Sequence, residues 1–188
     1  MTQASSEPSP AIDTETLFVR YATFVATFLF RLGARQQDLD DLVQEVFVAA
    51  HRRGGYLPGA ASPTSWLARL ALEARLADRR SHSRWQRTHH DDLAPQQLVA
   101  SSASTPEYDL QTRQAALRMQ QALDTMDPRT RAIFVLFEIE GQSCESIAAA
   151  LELKVGTVYS RLHGARKTFF AFTREAQEAP SLSGSKTP

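Results

Sequence analysis

The polar side chains between Lys154 and Arg174 are those best placed to do chemistry, and that chemistry is recognition of a polyanion. Lys154, Arg161, Arg166, Lys167 and Arg174 occur there with no acid among them. Val158, Leu162, Ala165, Phe169 and Phe172 are interleaved at steps of four, three, four and three, which puts all five on one face of a helix. A helix with such a polar side suits DNA. Phosphates supply most of the affinity, and helix-borne side chains read base edges in the major groove. A second stretch places Asp38, Asp40, Asp41 and Glu45 opposite Leu39, Leu42, Val43, Val46 and Phe47. That acidic face is either solvated or a docking surface for a basic or polar partner helix. A third stretch, Trp66 to His90, carries Arg69, Arg75, Arg79, Arg80, Arg84 and Arg87 against Glu73 and Asp78. Arginines beside aromatic rings suit single-stranded nucleic acid, because rings stack on bases and guanidinium groups hold phosphate. Trp66 reads mainly as core, and Trp85, among polar neighbours, as exposed.

Other chemistries find little support. His89, His90, Asp91 and Asp92 are consecutive and have no second cluster to converge with, whereas a metal site needs three or four converging ligands. No nucleophile elbow, phosphate loop or pair of catalytic carboxylates appears at a telling spacing, so no enzyme, cofactor or small-molecule substrate is expected. The single cysteine, Cys144, reads as a small buried helix residue.

The elements that must position these residues are helices. Pro128 suits a first helical position. Ile133, Leu136 and Phe137 follow at helical spacing, and Gly141 ends that helix. Ser143 is a fitting N-cap for a second helix carrying Ile147, Ala148 and Leu151. A tight turn at Glu152-Leu153-Lys154 leads into the basic helix, which completes a helix-turn-helix. Upstream, Leu17, Tyr21, Phe24, Val25, Phe28 and Leu32 mark an amphipathic helix ended by Gly33. A loop rich in glycine and proline spans residues 52–65, and the arginine-rich helix is expected to begin at Thr64 or Ser65. A further helix is expected from Leu110 to Met126.

The fold class is therefore all-α, with two small helical domains joined by a flexible linker, the C-terminal one a helix-turn-helix. The expected boundaries are a disordered N-terminus at 1–13, a first domain at 14–87, a linker at 88–108, a second domain at 109–175 and a disordered tail at 176–188. Each domain is near the lower size limit for an independent core. Lys plus Arg total 21 and Asp plus Glu total 21, so the chain is not a generally basic coat protein, although its charge is unevenly placed. The N-terminus lacks the basic start and apolar centre of a signal peptide, and no apolar run approaches a membrane span, so a cytoplasmic location is expected.

Three stretches resemble the extracytoplasmic-function group of RNA polymerase sigma factors in the sigma-70 family. The run from Asp38 to Phe47 resembles the helix of conserved region two. Trp66-Leu67-Ala68-Arg69-Leu70-Ala71 resembles the start of the next helix. Ala122 to Phe169, around Val155-Gly156-Thr157-Val158-Tyr159-Ser160-Arg161-Leu162-His163-Gly164-Ala165-Arg166, resembles region four.

The resemblance implies partners and roles. The chain would bind core RNA polymerase, with Asp41, Gln44 and Glu45 docking on the β′ coiled coil and region four meeting the β flap. Arg69, Glu73, Arg75, Arg79, Arg80 and Arg84 would grip the downstream promoter element and capture an unstacked base. Tyr159, Ser160, His163 and Gly164 fall at base-contacting positions of the upstream element. Lys154, Thr157, Arg161, Arg166 and Lys167 fall mostly at phosphate or packing positions; if Arg161 and Lys167 both contact phosphate, Arg161→Ala and Lys167→Ala should each weaken binding about equally across DNA sequences and flatten its salt dependence. Tyr159 and Gly164 stand where the family leads one to expect basic side chains. Glu73 stands where it leads one to expect Asn, and could accept from a cytosine amino group. Sigma factors of this group are usually held inactive by an anti-sigma protein, so one is an expected partner. The alternative is a helix-turn-helix regulator acting without polymerase, which would leave the acidic helix and the arginine-tryptophan stretch without a role.

Overall fold

The structure, a computed structural model, describes residues 11–88 and 106–178, with only the helical backbone at 83–88, 106–112 and 175–178. Seven α-helices carry the described chain: α1 Thr14–Arg31, α2 Leu39–Arg52, α3 Pro63–Thr88, α4 Pro106–Asp124, α5 Pro128–Phe134, α6 Cys144–Leu151 and α7 Val155–Glu178. A 3-10 turn at Gln36–Asp38 precedes α2, and a π-helical segment at Val135–Ile139 continues α5. Among the described residues the only β pairing is a single antiparallel bridge between Ile12 and Tyr56.

Local sequence accounts for most helix starts. Asp13 caps α1 by accepting the Thr16 N–H at 2.7 Å. Asp127 caps α5 by accepting the N–H groups of Arg129 and Thr130, with Pro128 in the first turn. Ser143 caps α6 by accepting the Ser146 N–H. Each cap satisfies donors the helix itself leaves unpaired. Two helices begin earlier than periodicity expects, at Pro63 rather than Thr64 or Ser65 and at Pro106 rather than Leu110. Proline belongs in a first turn, where its missing donor costs nothing, and that turn precedes the first apolar repeat. The Ser62 hydroxyl also accepts the Ser65 N–H at 3.0 Å.

Helices α1, α2 and α3 pack around Phe28, Leu29, Val46 and Leu67, all fully buried. Helices α5, α6 and α7 pack around Ile133, Leu136, Ile147, Val158 and Leu162. The two sets are not separate. Their buried residues form one contiguous cluster, with α3 lying against α5 and α6. Two glycines serve this packing. Gly55 has φ +87°, and a Cβ there would lie 2.4 Å from the Ile12 carbonyl oxygen. Gly33 has φ +81°, and its Cβ would lie 2.9 Å from Nη1 of Arg131 on α5.

Arg131 is the most buried cation described, its side chain 8% exposed. Burial pushes its guanidinium below the ordinary value, and Asp124 at 2.8 Å opposes that shift. Arginine stays protonated through such a shift. No described helix is long and apolar enough to cross a membrane.

Candidate nucleic-acid interface

The reading face of the C-terminal half rests on two short helices and a turn. Helix α6 ends at Glu152, whose left-handed backbone (φ 53°, ψ 45°) turns the chain. A non-glycine residue there carries a strain cost on the order of 1 kcal/mol. Helix α7 follows, burying Val158, Leu162 and Ala165 and half-burying Phe169. Its opposite face presents Tyr159, Ser160, His163, Gly164 and Lys167 to solvent, with Lys154 exposed just before it. Thr157 is half-buried, and its carbonyl accepts the Ser160 hydroxyl at 3.0 Å. Cys144 and then Glu145 push the Tyr159 phenol above its ordinary value. Cys144 itself is buried. Arg166 donates to Glu138 at 2.5 Å and lies 5.3 Å from the Phe137 ring centroid. The π-helical segment carries both of those partners, so it sets where Arg166 sits.

Arg161 behaves differently from its neighbours. It lies three residues after Val158 and four before Ala165, on the flank of the buried stripe. Its side chain turns toward α3, with Nη1 buried and without a partner. There it lines a cleft of about 170 Å3 with Arg69, Leu72, Glu73, Leu76, Arg129, Leu151, Glu152 and Leu153. The resemblance leaves Arg161 at a phosphate or packing position, and in this fold it lines a cleft shared with α3.

The arginines of α3 are committed to partners to different degrees. Arg69 donates to Glu73 at 2.9 Å and to Glu152 at 2.5 Å, which together hold its guanidinium above the ordinary value. Glu73 also accepts from Arg53 at 3.0 Å. Burial works against ionisation of Glu73, but the two arginines outweigh it and keep its carboxyl below the ordinary value of 4.5. Arg75 turns inward, donating to the Gly33 carbonyl at 2.6 Å and to Asp78 at 2.7 Å. Arg79 and Arg80 are exposed. The side chains of Arg84 and Trp85 lie outside the described residues, as do His89, His90, Asp91 and Asp92. Trp66 is half-buried against Tyr56, the ring centroids 5.8 Å apart.

Asp41, Gln44 and Glu45 are exposed on α2 and come together along one groove of about 670 Å3 between α2 and α3. Val48, Ala49, Leu70, Ala74 and Ala77 give the groove an apolar floor, and Arg52 and Glu73 edge it. Charged sides over an apolar floor suit an incoming amphipathic helix. One further group brings ligand-type atoms within 4.8 Å of one another: Asp38, Asp78 and His82. Arg35 pairs with Asp38 at 2.7 Å and also contacts His82, while Arg75 pairs with Asp78. Those cations already balance the carboxylates.

The contacts between halves were not legible in the sequence. Arg31 on α1 pairs with Glu140 at 2.6 Å. The Ser62 N–H donates to the Ser146 hydroxyl at 2.8 Å, and the Ser62 hydroxyl donates to Gln142 Oε1 at 2.5 Å. The Ser146 hydroxyl in turn donates to the buried Ser65 hydroxyl at 2.9 Å. These partners are separated by 80 to 109 positions, which no local pattern can report.

Residues 17–85 match the family described as Sigma-70 region 2, and residues 116–169 match Sigma-70, region 4. The chain is 34% identical over 152 residues to the RNA polymerase sigma factor CarQ of Myxococcus xanthus, covering 79% of this chain and 82% of CarQ. It is 33% identical over 156 residues to the ECF RNA polymerase sigma factor SigE of Mycolicibacterium smegmatis, covering 81% of this chain but spanning only 58% of the length of SigE. Among solved structures, the sigma factor RpoE in complex with the anti-sigma factor NepR from Bartonella quintana shares the fold, with a TM-score of 0.65 at 18% identity over 85% of this chain and 96% of that one.

Proposed function

This chain belongs to the sigma-70 family of RNA polymerase sigma factors, in its extracytoplasmic-function group, and from that membership we propose that it binds core RNA polymerase and directs promoter-specific initiation of transcription. Region 2 and region 4 both being present, in that order, is the observation that carries this reading. A regulator acting without polymerase would use only the second.

The groove edged by Asp41, Gln44 and Glu45 would receive a helical element of the polymerase, the β′ coiled coil. Helix α3 would engage the downstream element, with Arg79 and Arg80 already exposed and Arg69 and Glu73 released from their present partners. Base flipping there needs an acceptor or donor beside the pocket, and Glu73 would accept from a cytosine amino group. Helix α7 would lie in the major groove of the upstream element, with Tyr159, Ser160 and His163 toward bases and Lys154, Arg166 and Lys167 toward phosphate. The β flap would meet the same domain. An anti-sigma protein is a fitting partner, as the anti-sigma factor NepR is in complex with the sigma factor RpoE. The chain performs no covalent chemistry in this scheme and works in the cytoplasm, where the polymerase is.

Run-off transcription with purified core polymerase on a genomic fragment library tests the whole reading. Discrete transcripts that depend on the added chain are the expected result, and they return the promoter directly. Failure of the purified chain to associate with core polymerase would reduce it to a double-helix binder.

A further inference from the structure

We propose that the cleft lined by Arg129 and Arg161 is a binding site for a small phosphoryl dianion, either inorganic phosphate or the head of a compact phosphate monoester. Neither arginine has a role in the transcription reading above, and the inference does not depend on it.

Charge is the first observation. Arg69, Arg129, Arg161, Glu73 and Glu152 line the cleft. Arg69 donates to both Glu73 and Glu152, and Arg53 gives Glu73 a second cation. Those two cations and two carboxylates balance one another. Arg129 and Arg161 are left as two positive charges without an ion pair among the described residues. Arg161 does feel the Asp127 carboxylate, but that group is occupied in accepting the Arg129 and Thr130 N–H groups that start α5. The second observation is burial. Nη1 of Arg161 is buried and has no hydrogen-bond partner. A charged donor in that condition carries a desolvation cost that an anion would relieve. Arg161 is half-buried and Arg129 exposed, so the cleft is open to solvent on the Arg129 side. The third observation is size. The volume of about 170 Å3 equals roughly six waters at about 30 Å3 each, well below the about 300–1,000 Å3 of sites for larger ligands. A phosphoryl group with a short body fits, and a nucleotide does not.

Two unpaired guanidinium groups select the class of anion. A carboxylate would cancel only one of the two charges. A phosphate monoester carries about −1.5 to −2 at neutral pH, and its three oxygens can accept from both guanidinium forks. A DNA phosphate is a diester with one charge and two chains that the cleft cannot seat. Leu72, Leu76, Leu151 and Leu153 form the apolar part of the wall. They lower the local dielectric, which strengthens the charge pairing, and they offer a surface to a small carbon body.

The test uses the full free chain at constant ionic strength, with titration calorimetry and the melting temperature as readouts. Inorganic phosphate and phenyl phosphate should bind at one site and raise the melting temperature, whereas chloride and acetate should not. Arg129→Gln and Arg161→Gln should each weaken phosphate binding by about tenfold or more, the effect of one charge-assisted contact. Arg161→Lys keeps the charge but loses the fork, and should recover part of that loss. Arg20→Gln removes the same charge from an exposed site on α1 and should leave binding unchanged. Arg129 is exposed, so its variant reads the site even if Arg161→Gln disturbs packing. Phenyl phosphate should bind more weakly below about pH 6, where a monoester takes up a proton. Tighter binding of phenyl phosphate than of inorganic phosphate would identify a monoester as the ligand, and the reverse order would identify inorganic phosphate. Binding of neither, or equal losses in Arg20→Gln and Arg129→Gln, would mean an adventitious ion only and would overturn the proposal.

Discussion

Helices α3 and α7 both carry arginine-rich polar faces, yet the fold treats them differently. On α7, Tyr159, Ser160, His163 and Lys167 are exposed, while Val158, Leu162 and Ala165 are buried and Arg161 is half-buried beside them. On α3, Arg69 is held by two glutamates and Arg75 by a carbonyl and a carboxylate. The difference teaches that charge along a helix reports what a face could bind, while the elements packed beside it decide what is available. Helix α7 packs against α4, α5 and α6 of its own half. Helix α3 lies in the middle, with α1 and α2 on one side and α5 and α6 on the other.

That contrast can be broken most forcefully at the shared core. Leu67 on α3 is fully buried in the cluster that also holds Leu136 and Ile147. Leu67→Ala should cost about 2–5 kcal/mol. Calorimetry should show one transition moving down as a unit; two separate transitions, with only the first shifted, would show that the halves unfold independently. Gly33→Ala comes next. It forces a Cβ onto a left-handed backbone and against Arg131, and should cost about 1–3 kcal/mol in urea unfolding. A neutral result would mean both that the backbone at position 33 relaxes out of the left-handed region and that Arg131 moves aside.

Salt-dependent DNA binding sharpens the comparison within α7. Lys167→Ala should flatten the slope of log K against log salt by about 0.9 if Lys167 meets one phosphate. Arg161→Ala should change the free chain's slope less, because its side chain faces α3 rather than solvent. Equal changes would restore the equivalence that the helical pattern by itself suggests.

The smallest effect is in acid. Asp127 and Glu73 both have carboxyls held below their ordinary values. For Asp127, burial opposes ionisation, and hydrogen bonds from Thr130 and Arg129 overcome it. A carboxyl depressed on folding adds stability above its unfolded value and loses it as pH falls through its folded value. The melting temperature should therefore be flat near neutrality and decline below the ordinary carboxylate values of 3.8 and 4.5. Asp127→Asn should reduce that decline, whereas Glu73→Gln should alter it less because its pairs are half-exposed.

Much of the fold was legible without coordinates, and the particular residues show why. Ser143 acts as a cap through its own nearest turn, and Ile147, Val158 and Leu162 repeat at the helical period, so these helices declare themselves within a few residues, whereas the Asp13 cap falls in a stretch the sequence reads as disordered. The two-part composition and the outward face of α7 follow from the same local rules. Arg75 and Arg161 were not legible in this way, because the same spacing fits a phosphate contact and an inward ion pair equally well. Only the tertiary structure decided that Arg69 meets Glu152, that Arg31 meets Glu140 and that Ser62 meets Gln142 and Ser146. Backbone hydrogen bonding is settled between near neighbours in the chain. The partner of a long charged side chain is settled by which distant helix packs beside it, and that depends on how every buried surface fits together at once.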